Sequence, residues 1–129
     1  MRFLGLDYGK KRIGIALSDE EGKIAFPHKV FYNKDRVLMQ IKSLAEKEKI
    51  FKIIIGLPTP FAGGDNLQTL EVKNFANKLK EKIKLPVDFE NEILTSKLAH
   101  RGSTKEKIDA SAAAIILQSY LDKQSQISH

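Results

Sequence analysis

Three acidic residues stand where folding could bring their carboxylates together: Asp7, Glu92 and Asp109. Asp7 closes the apolar run RFLGLD and Glu92 follows the run PVDFEN, and both runs have the length of strands. In an α/β sheet, the carboxyl ends of strands meet at the edge where ligands bind. Asp109 heads a stripe of alanine and isoleucine at helical spacing, which predicts that it faces a sheet. We therefore expect the three acids to converge at one sheet edge.

Converging carboxylates need positive charge nearby, because an unpaired buried carboxylate is costly and like charges repel. The chain contains no cysteine, and its three histidines are far apart in sequence. An all-oxygen ligand set favours Mg²⁺ or Mn²⁺ over zinc. Such ions activate water and stabilise the leaving oxygen of a phosphodiester. The pattern predicts that Asp7, Glu92 and Asp109 are metal ligands and catalytic residues, although each acid alone has an ordinary structural explanation.

A glycine and three cations follow closely after Asp7: Gly9, Lys10, Lys11 and Arg12. The whole chain carries 22 lysines and arginines against 16 acids, a formal net charge of +6. Basic surfaces gain affinity for nucleic acids by releasing counterions from phosphates. We expect Gly9 to let the backbone approach a phosphate and the three cations to bind nucleic acid. Many basic proteins bind no polyanion, so the net charge alone does not show whether this chain binds nucleic acid.

The periodicity of the sequence predicts a single α/β domain over residues 1–129, with residues 122–129 as a frayed tail. A three-strand meander comes first, and strands then alternate with helices, which predicts a five-stranded mixed sheet with helices on both faces. The predicted strands are Arg2–Asp7, Ile13–Ser18, Lys23–Phe26 (ended by Pro27), Phe51–Ile55 and Pro86–Asn91. The predicted helices run from a cap at Asp35 to Lys49, from Thr69 to Lys84, and from a capping box at 103–106 to Leu121.

Four motifs in order, LDYGKKRIGIALSD, IIIGLPTPFAGGDN, ENEILTS and IDASAAAIILQSYL, resemble the YqgF (RuvX) family. The resemblance implies a ribonuclease-H-like fold, phosphodiester hydrolysis by a metal-activated water, and Asp7, Glu92 and Asp109 as its catalytic acids. Members of the family have been regarded both as nucleases that mature the 5′ end of 16S rRNA precursor and as Holliday junction resolvases. The third motif departs from the family pattern, because Asn91 and Ile93 replace the usual aspartate and arginine.

Several functions are compatible with these features, and processing of 16S rRNA precursor is the one we favour. The alternatives are resolution of four-way DNA and a non-catalytic role as a nucleic-acid-binding or ribosome-assembly factor. The first motif also resembles the phosphate-binding hairpin of actin-like ATPases, but those proteins need two such lobes. The expected partners are structured RNA, or else branched DNA, together with ribosomal precursor particles. The apolar runs are too short to span a membrane, so a cytoplasmic protein is expected.

Overall fold

The computed structural model describes residues 1–58, 67–91 and 105–127. Five strands and three helices alternate along these segments as the meander and the later periodicity predict. The strands are β1 (Arg2–Asp7), β2 (Arg12–Ser18), β3 (Ala25–Tyr32), β4 (Ile50–Leu57) and β5 (Val87–Asn91). The helices are α1 (Val37–Lys47), α2 (Leu67–Ile83) and α3 (Lys105–Ile127).

The strands form one mixed sheet in the order β3-β2-β1-β4-β5. β2 pairs antiparallel with β1 and β3, whereas β4 pairs parallel with β1 and β5. β1 is therefore central, and the carboxyl ends of β1, β4 and β5 lie at the same edge of the sheet. The five-stranded mixed sheet predicted from the sequence is confirmed.

Apolar side chains cover both faces of the sheet. α1 and α2 pack on one face, where Leu4, Leu6 and Ile55 belong to the larger core cluster. α3 packs on the other face, where Ile54 and Ala16 meet the Leu117 side of the helix. Successive residues of a strand point to opposite faces of the sheet. Because both faces are covered by helices, the strands have apolar side chains at both odd and even positions.

β3 is longer than predicted, because the chain continues through Pro27 to Tyr32. The pairing register between β2 and β3 shifts at this point: Ile15 is opposite Lys29, but Ala16 is opposite Pro27. Proline is tolerated in edge strands and at bulges because it has no amide to contribute to the sheet. The prediction that Pro27 ends the strand was wrong for this reason.

The helix boundaries also differ from the predicted ones. Arg36, not Asp35, is the residue before α1, and its side chain makes no capping hydrogen bond. α3 continues to Ile127, six residues beyond the predicted end at Leu121. Glu92 and the first half of the predicted capping box, residues 103–104, lie outside the described residues. Within the described ranges, no helix is both long enough and apolar enough to cross a bilayer.

Candidate active site

Asp7 is the last residue of β1 and points towards α3. Gly5, two residues earlier, faces that helix so closely that an added Cβ would lie 2.8 Å from the Leu117 Cβ. Because side chains alternate along a strand, Asp7 is on the same face as Gly5. Asp7 is partly buried, at the carboxyl edge of the sheet.

Asp109 reaches the same edge from α3. Asp7 is paired with Gly14 across β1 and β2. A Cβ added at Gly14 would lie 2.0 Å from the carbonyl oxygen of Asp109, so the helix backbone rests directly on this glycine. Asp7 and Asp109 are thus next to the same backbone position, although they are 102 positions apart in sequence. The buried stripe that follows Asp109 on α3 confirms that this side of the helix faces the sheet.

Arg12 pairs with Asp109 at this edge. Its Nε donates a hydrogen bond of 2.8 Å to Oδ2 of Asp109. The two side chains are 23% and 24% exposed, so water screens the ion pair less than at an open surface. The position of Asp109 on its helix predicted that it would need a cation, and Arg12 is that cation. From the sequence, Arg12 was expected to bind nucleic acid, and its pairing with Asp109 was not foreseen.

The loop between β1 and β2 is held by its backbone and by Asn33. A Cβ at Gly9 would lie 2.5 Å from the Arg12 carbonyl oxygen, so the tight turn itself requires glycine. The Asn33 side chain donates a 2.8 Å hydrogen bond to the Gly9 carbonyl. The backbone N–H of Asn33 donates a 2.9 Å hydrogen bond to the Lys11 carbonyl. No sequence signal marks Asn33, since a polar residue after a strand is common in loops.

The structure separates the cations that the sequence had grouped together. Arg12 is directed to α3, whereas Lys10 is directed to α2, where its Nζ lies 3.7 Å from Oε1 of Glu71. Lys10 remains 77% exposed, so this ion pair is weak and easily exchanged. Lys11 is also exposed. The basic loop therefore presents cations along the edge next to Asp7 rather than in one cluster.

Glu90 lies on β5, two residues before Glu92, and is only 5% exposed. It accepts a hydrogen bond from the Ser119 hydroxyl at 2.6 Å and pairs with Lys123 at 2.8 Å. Ser119 is ten residues beyond Asp109 on α3, or about 15 Å along the helix axis. Glu90 therefore connects the C-terminal half of α3 to β5 and does not contribute to the region around Asp109.

A second polar cluster anchors α3 further from the acids. The Lys52 ammonium donates to the Tyr120 hydroxyl at 2.7 Å, and that hydroxyl donates to Asp88 at 3.0 Å. The hydrogen bond to Tyr120 raises the pKa of Lys52, with Asp88 adding to the effect. Partial burial pushes the pKa of Asp88 upwards, but the Phe89 amide, the Tyr120 hydroxyl and Lys52 together hold it below its ordinary value.

The described donors fit a hard divalent cation in kind. Asp7 and Asp109 offer carboxylate oxygens at a partly buried edge, the ligand type that Mg²⁺ and Mn²⁺ prefer. In the part of the chain that the structure describes, no three acidic or histidine side chains form a complete metal-binding group. The third predicted ligand, Glu92, comes directly after the last described residue of β5.

Comparison with known proteins identifies the family of the chain. A family profile described as "RuvX: Holliday junction resolvase" matches residues 1–123. The chain belongs to the RuvX family. Proteins of the RuvX family are nucleases, so the predicted phosphodiester hydrolase is confirmed at this level. Dependence on a divalent metal is general for their fold.

Relatives match the chain over nearly its whole length. A "Putative pre-16S rRNA nuclease" of Syntrophomonas wolfei is 41% identical over 133 residues, which cover 95% of this chain and 94% of that protein. A protein with the same name from a Sulfurihydrogenibium species is also 41% identical over 133 residues, covering 96% and 92%. The RuvX family assignment therefore covers nearly the whole chain, as far as residue 123 in α3.

Solved structures support the fold. Thermus thermophilus RuvC superimposes with a TM-score of 0.62 at 13% identity, covering 98% of this chain and 97% of that one. The fowlpox virus Holliday junction resolvase gives a TM-score of 0.53 at 13% identity, covering 95% and 99%. These identities are low, so the likeness bears on the fold alone. It confirms the ribonuclease-H-like fold that the RuvX resemblance implied.

Proposed function

We propose that this RuvX-family nuclease cleaves the 16S rRNA precursor near its 5′ end, with Asp7, Glu92 and Asp109 as its catalytic residues. The observation that carries the site assignment is the contact at Gly14, which puts Asp109 beside the strand position opposite Asp7. The 2.8 Å hydrogen bond from Arg12 holds the Asp109 carboxylate at the start of β2, the end of the sheet at which Asp7 closes β1. The substrate assignment rests on the relatives named as pre-16S rRNA nucleases.

In this proposal the carboxylates of Asp7, Glu92 and Asp109 would hold Mg²⁺ or Mn²⁺. Such an ion, when bound, supplies a reactive water and stabilises negative charge on the leaving oxygen. Hydrolysis of the substrate would add one water across a phosphorus–oxygen bond, and the leaving oxygen would depart with a proton. Arg12, already beside Asp109, contributes positive charge where the scissile phosphate would lie.

The exposed cations of the loop would guide the substrate to this edge. Lys10 and Lys11 are at the surface directly after the acid-bearing strand. Phosphates can replace Glu71 as the partner of Lys10, because an exposed ion pair contributes at most about 1 kcal/mol. Ribosomal precursor particles are the proposed form of the substrate, and a role in ribosome maturation would place the protein in the cytoplasm.

Resolution of four-way DNA is the second candidate, favoured by the family description and by the resolvase-like fold. A resolvase that cuts a two-fold symmetric junction needs two active sites, hence a dimer. The third candidate, a non-catalytic assembly factor, would bind RNA without any metal-dependent cleavage. Cleavage and oligomeric state together separate the three.

The test is a cleavage assay of the purified chain with Mg²⁺, with Mn²⁺ and with a chelator. The substrates are a 16S precursor with its 5′ extension, a plain RNA duplex and a four-way DNA junction. The proposal predicts metal-dependent cleavage of the precursor near the mature 5′ end and little cleavage of the junction. Preferred cleavage of the junction would identify a resolvase instead, and binding without cleavage of any substrate would contradict both nuclease assignments.

A further inference from the structure

A cleft adjoins the active-site edge on the face of the sheet opposite α3. Its volume is about 470 Å³, within the range of small-ligand sites. Its floor includes Tyr8, whose ring lies 4.8 Å from that of Phe75 of α2 at an interplanar angle of 43°. The half-buried Tyr8 also lines a second, smaller cleft that reaches Gly9 and Lys10. We call the larger space the Tyr8 cleft.

The charges of the Tyr8 cleft suit a neutral, planar ligand better than a phosphate. Its polar walls carry two amides, two lysines and two carboxylates: Asn33, Asn74, Lys34, Lys78, Asp35 and Glu71. The lysines and carboxylates balance, so a phosphate would gain no net attraction here. Aromatic rings beside amide donors and acceptors are the groups that proteins use to hold an unstacked nucleobase.

The position of the cleft relative to Asp7 gives it a role in substrate binding. Tyr8 directly follows Asp7, and their Cα atoms are therefore about 3.8 Å apart. Strand alternation sends Asp7 towards α3 and Tyr8 towards α2, so the two side chains straddle the edge of the sheet. A nucleic-acid strand crossing this edge would carry a phosphate on one side and an adjacent nucleotide on the other.

We propose that the Tyr8 cleft binds a single unpaired nucleobase next to the scissile phosphate. Tyr8 stacks on the base, and Lys78 lies at the rim. A base inside a duplex cannot enter such a cleft without leaving its stack, and unstacking is unfavourable. The enzyme therefore selects strands with an unpaired nucleotide beside the cleavage point. This inference rests on the proposed active site and specifies which substrates reach it.

Binding is the appropriate measurement, because it is independent of cleavage. The full-length Asp7→Asn variant is titrated, in the presence of Mg²⁺, into a fluorescent single-stranded RNA and into the same RNA annealed to its complement. The same pair of ligands made as DNA separates base capture from recognition of ribose. Added Tyr8→Ala should weaken single-strand binding roughly 5- to 150-fold, as expected for loss of one stacked base. Duplex affinity should change less than twofold.

Two further variants control for stacking and position. Tyr8→Phe keeps the ring and should restore single-strand affinity to within about threefold of the parent. Phe26→Ala removes an exposed ring at the other end of the sheet and should change neither affinity. Equal weakening of single strand and duplex by Tyr8→Ala, or no weakening of either, would overturn the proposal.

Tyr8→Ala also removes the packing of this ring against Phe75 and could unfold the chain, so a surface pair provides an independent test. Lys78→Glu makes the cleft acidic. Lys80→Glu makes the same charge change at another exposed position of α2 that does not line the cleft. Only Lys78→Glu should selectively reduce single-strand affinity; equal effects of the two would contradict the inference. A wild-type chain that cuts no substrate while these binding results hold would refute the proposed function and leave the cleft assignment standing.

Discussion

The Arg12 guanidinium is bound to the Asp109 carboxylate at 2.8 Å, an ion pair that joins residues 97 positions apart. Arg12 begins the strand that follows Asp7, so the pair fastens the start of α3 to the hairpin that carries the other acid. A divalent ion at Asp109 has to compete with this guanidinium for the carboxylate. The same guanidinium offers a donor to any phosphate that arrives at the site.

Replacing Arg12 should therefore strengthen metal binding and weaken nucleic-acid binding. We expect Arg12→Gln to tighten Mn²⁺ binding up to about fivefold, since a partly exposed ion pair contributes up to about 1 kcal/mol. Calorimetric titration of Mn²⁺ without nucleic acid measures this change. Lys11→Gln, with the same charge change one residue away, is the matched control. Weaker Mn²⁺ binding by Arg12→Gln would mean that the arginine orders the site instead of competing for it.

Neutralising either described acid should abolish cleavage and leave the fold intact. Asp7→Asn and Asp109→Asn each remove a proposed metal ligand, and we expect turnover to fall at least 100-fold, or about 2.7 kcal/mol in the barrier. Asp122→Asn, on an exposed turn of the same helix, should retain full activity. Initial cleavage rates and circular dichroism spectra are compared for the three variants. Turnover retained by Asp7→Asn would remove that residue from the mechanism.

Adding one methyl group at Gly14 should disrupt the site by displacing α3. The new Cβ in Gly14→Ala would lie 2.0 Å from a backbone oxygen that no rotamer change can move. We expect a loss of unfolding free energy at or above the roughly 1–3 kcal/mol typical of overpacking. Urea denaturation measures the loss, and cleavage should fall with it because Asp109 moves away from Asp7. An unchanged urea midpoint would contradict the close approach of helix and strand.

The exposed loop lysines should set the salt dependence of nucleic-acid binding. Lys10→Gln and Lys11→Gln should each reduce the slope of log affinity against log salt by about 0.7 to 0.9 for every phosphate that the lysine had neutralised. Lys80→Gln on α2 serves as the control with the same charge change. Affinities of wild type and variants for one RNA at four salt concentrations give the slopes. Unchanged slopes for both loop variants would place the binding surface elsewhere.

The Lys52–Tyr120–Asp88 cluster should make stability depend on acid pH. The pKa of Asp88 is lowered in the folded chain, so its stabilisation is present above the unfolded value of about 4 and is lost as the pH falls through the folded value. The difference in melting temperature between wild type and Asp88→Asn should therefore shrink between pH 6 and pH 3. Tyr120→Phe, which removes a donor to Asp88, should reduce the same acid sensitivity. A difference independent of pH would contradict this account.

The sequence predicted those features of the fold that depend on local pattern. Alternating and continuous apolar runs predicted the central strand that ends at Asp7, and the stripe on α3 predicted that Asp109 faces the sheet. Burial on both faces of the sheet followed from the apolar residues at successive positions of β1 and β4. Each of these inferences needs only neighbours within about ten residues.

Features that depend on the meeting of distant segments could not be predicted in the same way. Arg12 looked like a surface cation because its partner is 97 residues away. Pro27 was expected to end a strand, because a sequence does not reveal that its strand will lie at the sheet edge. Tyr8 carried no signal, since the cleft forms where its ring meets Phe75 and other residues that are distant in sequence. The location of Glu92 relative to the other two acids stays a prediction.

The proline in β3 has a consequence for the behaviour of the protein at high concentration. An edge strand exposes backbone groups that can template pairing with another molecule, and long, regular edges promote aggregation. β3 is an edge strand of this sheet, and Pro27 and the adjacent register shift interrupt its regular pairing near the middle of the strand. We therefore expect β3 to resist extension of the sheet by a second chain, because the proline leaves one backbone donor missing from this strand.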